Sequence, residues 1–394
     1  MKWLLLALGS MFVQQAFITL SKVLLAVLAP VVLIDLNIDP IWLGIYVSLM
    51  AMTALVIQVG CGSFIIRYGA LRISQISLVM GGLGLMLVPL GLIPILVLSA
   101  MTIGGGGAST PASSHLLGRY SPLKWAPLVF SIKQTAVPVG LLIAGLLGPF
   151  LSENFGWRNT FLIIAIACIV FAVMLQPLRW KFDGDKDTNR KFHISDIKRT
   201  ITLVLSQPEL RSLALACFAF VGLQATFIAY FVIYLTHLGY SLAEAGQIFA
   251  FATSVAIPGR IFWGWLSSSY VSPRTMLAVL ALAMATTIGL TSQFDENWPV
   301  WIITLVSAAV SATVFSWHGV LLAETVRFAP ESMRGAVTGG VLSFGQLGGL
   351  VLPLLYSLLL WATGSYRVGF IVCAVPALLV GLVLLSGRHK SRSH

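Results

Sequence analysis

The sequence predicts an all-α polytopic membrane protein, with twelve spanning helices in two pseudo-symmetric six-helix bundles. Three observations predict it. First, 58% of the residues are hydrophobic and 9% charged, with a mean hydropathy of +0.95; soluble domains carry about 25% charge. Second, the apolar residues come in runs of about 20 or more, the length a helix needs to cross the hydrocarbon core. The alternating pattern of a membrane barrel is absent. Third, the chain repeats itself. Arg119, Tyr120 and Pro122 match Arg327, Phe328 and Pro330, and Trp157, Arg158 and Phe161 match Tyr366, Arg367 and Phe370. Gly44, Gly62, Tyr68 and Arg72 likewise match Gly246, Gly264, Tyr270 and Arg274.

The runs place spans at roughly 10–34, 41–64, 73–91, 93–117, 126–151 and 159–178, then 211–236, 243–266, 274–292, 299–323, 335–361 and 367–386. Span 1 follows Met1 and Lys2 with no small-residue cleavage site, so it reads as a retained helix. Pro40 opens span 2, where its missing N–H is not needed. Span 4 carries the small-residue run Gly104 to His115, which lets helix backbones approach closely, and Pro111 permits a bend. Spans 3 and 6 are plain. Between the halves lies the long polar segment 179–209, in which Ser195 caps a short amphipathic helix on the membrane surface. The domains are therefore 1–178, the linker 179–209, and 210–394. Trp42, Trp125, Trp157, Trp180, Trp298 and Trp361 fall at helix ends, as in an interfacial aromatic belt.

The net charge of +11 is topological. With the termini and linker on one side, only Arg158 and Arg367 among the extra-span Lys and Arg fall on the other. That asymmetry puts both termini and the linker in the cytoplasm. It excludes a nucleic-acid partner and suits an inner leaflet of anionic lipid. Cys61, Cys168, Cys217 and Cys373 all lie inside spans and show no disulfide or metal spacing. No nucleophile elbow, phosphate loop or metal cluster occurs, so the chain reads as a non-enzyme without cofactor.

Three cations remain inside spans. Lys22 lies near the middle of span 1. Lys133 lies seven residues into span 5, about 10 Å deep at 1.5 Å per residue. Arg260 lies about a turn and a half from the linker-side end of span 8. A cation at the bilayer centre costs roughly 2.5–3.5 kcal/mol on insertion scales. No Asp or Glu lies as deep, so these cations want an anion that the protein does not supply. Arg260 either binds substrate or pairs with Glu324. Gln134, Gln224, Tyr230 and Gln346 can orient a polar ligand or bond between helices. His318 can titrate near neutrality or serve as a packing histidine.

Twelve spans, a long middle loop and degenerate signature loops resemble the major facilitator superfamily over essentially the whole chain. Its loop between spans 2 and 3 reads G-x-L-A-D-R-x-G-R; here Gly62, Arg67 and Gly69 fit, with Arg72 just beyond, and Ile66 replaces the acid. The repeat has Gly264 and Ser268 at the corresponding positions, with Arg274 as the counterpart of Arg72. By that resemblance these residues form inner-gate loops, with weakened ion pairing because both acids are missing. GLLGP in span 5 partly matches a drug-antiporter motif. The stretch Pro258 to Leu266 resembles the arginine-bearing helix 8 of monocarboxylate and oxalate porters, which also place a lysine in helix 1. That resemblance implies substrate contacts from Lys22 and Arg260, although Ala256 stands where those porters often carry an aspartate.

The expectation is a secondary transporter, monomeric and surrounded by lipid in a bacterial inner membrane. It moves a small organic anion, foremost a monocarboxylate, by proton symport or anion exchange, with His318 as the proton-coupling candidate. The alternative is an exporter of drugs or hydrophobic compounds, which usually carries a buried acid.

Overall fold

The computed structural model describes residues 2–122, 125–188, 194–330 and 334–386, and all regular structure in them is helical. The N-terminal half holds α1 (Lys2–Leu36), α2 (Ile41–Tyr68), α3 (Ala70–Leu87), α4 (Ile93–Gly105), α5 (Ser109–Tyr120), α6 (Ala126–Gln134), α7 (Ala136–Phe155) and α8 (Trp157–Met174). The linker forms α9 (Arg179–Phe182) and α10 (Ile194–Ser206). The C-terminal half holds α11 (Pro208–His237), α12 (Leu242–Ser269), α13 (Pro273–Thr291), α14 (Val300–Val314), α15 (His318–Phe328), α16 (Arg334–Thr363) and α17 (Tyr366–Ser386). Among the described residues eleven spans are long and apolar enough to cross a membrane. Helix α12 has the length, but Glu244, Gln247 and Arg260 make it less apolar than the others.

Local chemistry sets the ends. Pro208 and Pro273 occupy first-turn positions, where the missing N–H has no intrahelical partner in any case. Ser241 and Glu244 form a reciprocal capping box ahead of α12. Gly69 and Gly156 end α2 and α7 at φ 97° and 78°, a backbone region that favours glycine.

Three spans are broken. A 3₁₀ turn at Gly106–Ala108 separates α4 from α5. Thr135 separates α6 from α7, and Phe315–Trp317 separate α14 from α15. Each break lies part-way along its span, so free backbone groups sit inside the bundle instead of at its surface.

The two halves meet in two glycine seams on the side opposite the linker, called the far side below. Gly44 of α2 lies against the Pro353 carbonyl of α16, and Gly246 of α12 against the Gly145 carbonyl of α7. These are the two glycines that the repeat matches. Ser48 Oγ donates to Leu350 O at 2.7 Å and Ser357 Oγ to Ile41 O at 2.9 Å, both across the halves. The far side is therefore closed.

The linker is built into both halves. Fully buried Phe182 packs on Trp3 and Tyr120 of the N-terminal half. In α10, buried Val204 and Thr200 lie against Gly340 of α16, so α10 rests on the C-terminal half. The expected cap at Ser195 falls outside the described side chains. One belt residue departs from expectation. Trp157 is only 5% exposed, and its Nε1 donates to Asp35 at 3.2 Å, so it faces protein and not lipid.

Candidate functional site

Lys133 sits in the last turn of α6 and is 0% exposed. Its Nζ approaches Thr110 O at 3.4 Å and Ser114 Oγ at 3.3 Å. These residues stand one turn apart on the same face of α5, just after the break in span 4. Two long bonds to neutral oxygens leave the positive charge uncompensated. Thr110 Oγ1 in turn donates to Gln15 Oε1 of α1 at 3.2 Å. Lys22 lies seven residues, or two turns, beyond Gln15 on the same face of α1 and is partly buried.

Arg260 reaches the same region from the other half. Its Nε donates to Phe315 O at 2.9 Å, and its Nη1 donates to Gln134 O. Both carbonyls are available for a physical reason. Phe315 lies in the break of span 10. Gln134 O would ordinarily take the N–H four residues on, but that residue is Pro138, which has none. The second bond crosses from one half to the other. Arg260 therefore reaches the residue beside Lys133 on one side and, through Phe315, the break next to His318, which stacks on Trp317 at 3.7 Å between ring centroids.

Among the described residues no carboxylate pairs with Lys22, Lys133 or Arg260. The alternative pairing of Arg260 with Glu324 is not formed, because Glu324 pairs with Arg327 of its own helix at 2.6 Å. Several polar atoms are buried without a hydrogen-bond partner, including Gln224 Oε1, Ser316 Oγ, Trp317 Nε1 and His318 Nδ1. Gln224 stands one turn from Phe220, whose ring meets Trp317 at 5.5 Å. Gln134 contributes its backbone carbonyl, whereas the sequence pointed to its side chain. Gln346 lies one turn from Leu350, on the α16 face that meets α2. Tyr230 is displaced from the expected site. It is fully buried at the far-side seam, bonded to Ser357 and stacked on Tyr356 at 3.9 Å.

The loops expected to gate the linker side act within their own halves. Arg274 donates to Leu384 O of α17 at 3.1 Å, and Arg67 lies over the Tyr68 ring. Gly62 and Gly264 have open space beside them. The acid missing at Ile66 is supplied from elsewhere in the chain. Asp183, beyond α9, accepts from Leu71 N at 2.7 Å and Arg72 N at 3.2 Å at the start of α3, and pairs with Arg179 at 3.4 Å. It packs directly on Gly69. Burial raises its carboxyl above the ordinary range, while those two N–H groups and Arg179 pull it the other way. Asp185 joins Arg119 at 2.5 Å and His115 at 2.9 Å. Asp187 N donates to Ile66 O at 2.9 Å.

A helical bundle in two halves, with cations held at their seam by broken helices, defines a secondary transporter and not an enzyme. The chain belongs to the major facilitator superfamily, whose sequence model matches residues 11–339. It is 24% identical to the nitrite extrusion protein of Bacillus subtilis, over 94% of this chain and 92% of that one. It is 22% identical to the cis,cis-muconate transport protein of Acinetobacter baylyi, over 80% and 78%. A POT family transporter solved with 5-aminolevulinic acid shares the fold, with a TM-score of 0.76, 15% identity and coverage of 96% and 95%.

Proposed function

We propose that this transporter carries a small organic anion, foremost a monocarboxylate, by alternating access. It works as a monomer in a bacterial plasma membrane, with the linker and both termini cytoplasmic. One observation carries the reading. Arg260 of the C-terminal half reaches across to Gln134 O, next to buried Lys133 of the N-terminal half, and among the described residues no carboxylate pairs with either. An anion between them cancels their repulsion and binds both halves at once, and the cost of burying the cations becomes binding energy for a specific charge. Lys22 offers a third positive charge from α1. Coupling runs as proton symport, with His318 exchanging the proton, or as anion exchange. The relatives named for nitrite and muconate, both anions, agree with this sign of charge and extend the candidates to inorganic oxyanions.

The test is uptake into proteoliposomes of labelled pyruvate, benzoate and nitrite, with one neutral drug as control. Saturable uptake of at least one anion, lost in Lys133→Gln, is the expected result. Transport of the neutral drug alone, unaffected by Lys133→Gln, would overturn the reading and return hydrophobic export to first place.

A further inference from the structure

The break in span 10 leaves more unsatisfied donors than the anion reading has used. Helix α15 begins at His318, and the first bond from its amides back to the preceding turn is Leu321 N to Trp317 O at 3.1 Å. The N–H groups ahead of Leu321 have no intrahelical acceptor. The two residues leading into this N-terminus, Ser316 and Trp317, are 2% and 0% exposed, and Ser316 Oγ and Trp317 Nε1 each lack a hydrogen-bond partner. Orphaned polar atoms on two consecutive buried residues are unusual, because each would cost stability if it stayed dry. The Ser316 hydroxyl also lies close to the arginine. Ser316 Oγ lies against Gly259, the residue before Arg260, and Arg260 itself bonds to Phe315 O one residue before Ser316. Gly319, the second residue of α15, has open space where a side chain would stand.

We propose that this break is the half-site by which the C-terminal half selects its anion. The amide end of α15, Ser316 Oγ–H, Trp317 Nε1–H and Arg260 are all donors. They suit a compact planar oxyanion head, such as a carboxylate or nitrite, whose oxygens accept from several directions. Ser316 and Trp317 set selectivity because a ligand without oxygens on that side leaves them unsatisfied. The proposal rests on the anion reading and adds to it the residues that do the selecting. A carboxylate and an inorganic oxyanion share this chemistry, so the experiment carries both.

The experiment measures KM and maximal rate for benzoate and for nitrite in proteoliposomes, with wild type, Ser316→Ala, Trp317→Phe and Lys133→Gln. Trp317→Phe removes the N–H together with the indole's five-membered ring, leaving a small cavity beside Phe220 and His318; Ser316→Ala removes a hydroxyl with little volume. Anion-dependent thermal stabilisation of the purified protein reports binding apart from turnover. The expected result is a rise in KM of about tenfold for each of the two span-10 variants, the usual loss for one bond to a charged ligand. For Ser316→Ala the maximal rate and ligand-free melting temperature stay near wild type; Trp317→Phe melts lower because of its cavity, and its KM is compared only if it folds. A rise confined to benzoate identifies a carboxylate head and one confined to nitrite an inorganic oxyanion; either supports the site. Wild-type KM in both variants, with transport abolished in Lys133→Gln, overturns this proposal and leaves the anion reading standing; the orphans then hold water only. No anion transport by wild type defeats both together. Should Trp317→Phe fail to fold, Ser316→Ala decides alone.

Discussion

Replacing Gly145 by Ala should pry open the far-side seam. A Cβ on Gly145 would lie 2.7 Å from Gly246 O and 3.1 Å from Ala250 N and Cβ. Ordinary contacts between carbon and a carbonyl oxygen fall near 3.3–3.6 Å, so the methyl intrudes by about 0.6 Å on a backbone atom that cannot rotate away. Overpacking of this kind costs about 1–3 kcal/mol. Under the alternating access proposed above, the cost falls only on the state in which α7 and α12 touch, because Gly145 and Gly246 would separate as the halves rock apart. A penalty of 1.4 kcal/mol changes a population ratio tenfold, so the variant should shift toward a far-side-open state by roughly five- to a hundredfold. The assay introduces a reporter at Ser48→Cys, normally 5% exposed at the other seam, and follows labelling by a membrane-impermeant maleimide. The four native cysteines are buried and give the background. Faster labelling in Gly145→Ala, reduced again by saturating anion if the bound state is closed, is the expected outcome. Unchanged labelling and unchanged transport would refute the seam as a moving contact.

Asp183→Ala should lower thermal stability in detergent by about 2 kcal/mol, because it strands two amides at the start of α3; Asp183→Asn, which still offers an oxygen, should cost less than half as much. Gly69→Ala should impair folding more than Gly62→Ala. The first combines φ 97° with contact on Asp183, whereas the second adds a methyl to open space; yield of monodisperse protein reads the difference. Arg260→Lys should reduce anion transport at least tenfold with little change in melting temperature, since a compact ammonium cannot span two carbonyls on separate halves as the guanidinium does.

The spans and the repeat were legible because hydrocarbon imposes one strong rule on every membrane helix, and Lys133 and Arg260 stood out as exceptions to it. The pairing of Gly44 with Gly246 was visible as a match; its reason, two seams related by the repeat, needed coordinates. The breaks were less legible. Pro111 marked a bend near the break at Gly106–Ala108, but Phe315–Trp317 contains neither Gly nor Pro. Pro138 carried a readable signal that went unused: a proline inside a span frees the carbonyl four residues earlier, here that of Gln134. Tyr230 sits at a seam, because a hydroxyl in an apolar run can bond between helices as well as to a ligand. Asp183 could not be found from the loop it serves, since it lies 117 residues beyond the empty acid position at Ile66 and only the path of α9 brings it back.

The central claim is that the seam between the halves binds an anion through Lys133 and Arg260. Its most direct measurement is equilibrium binding of labelled benzoate and nitrite to the purified protein, for wild type, Lys133→Gln and Arg260→Gln. The account predicts saturable binding of at least one anion by wild type, weakened at least tenfold in both variants, each of which keeps its fold. Wild-type affinity in both variants would contradict it.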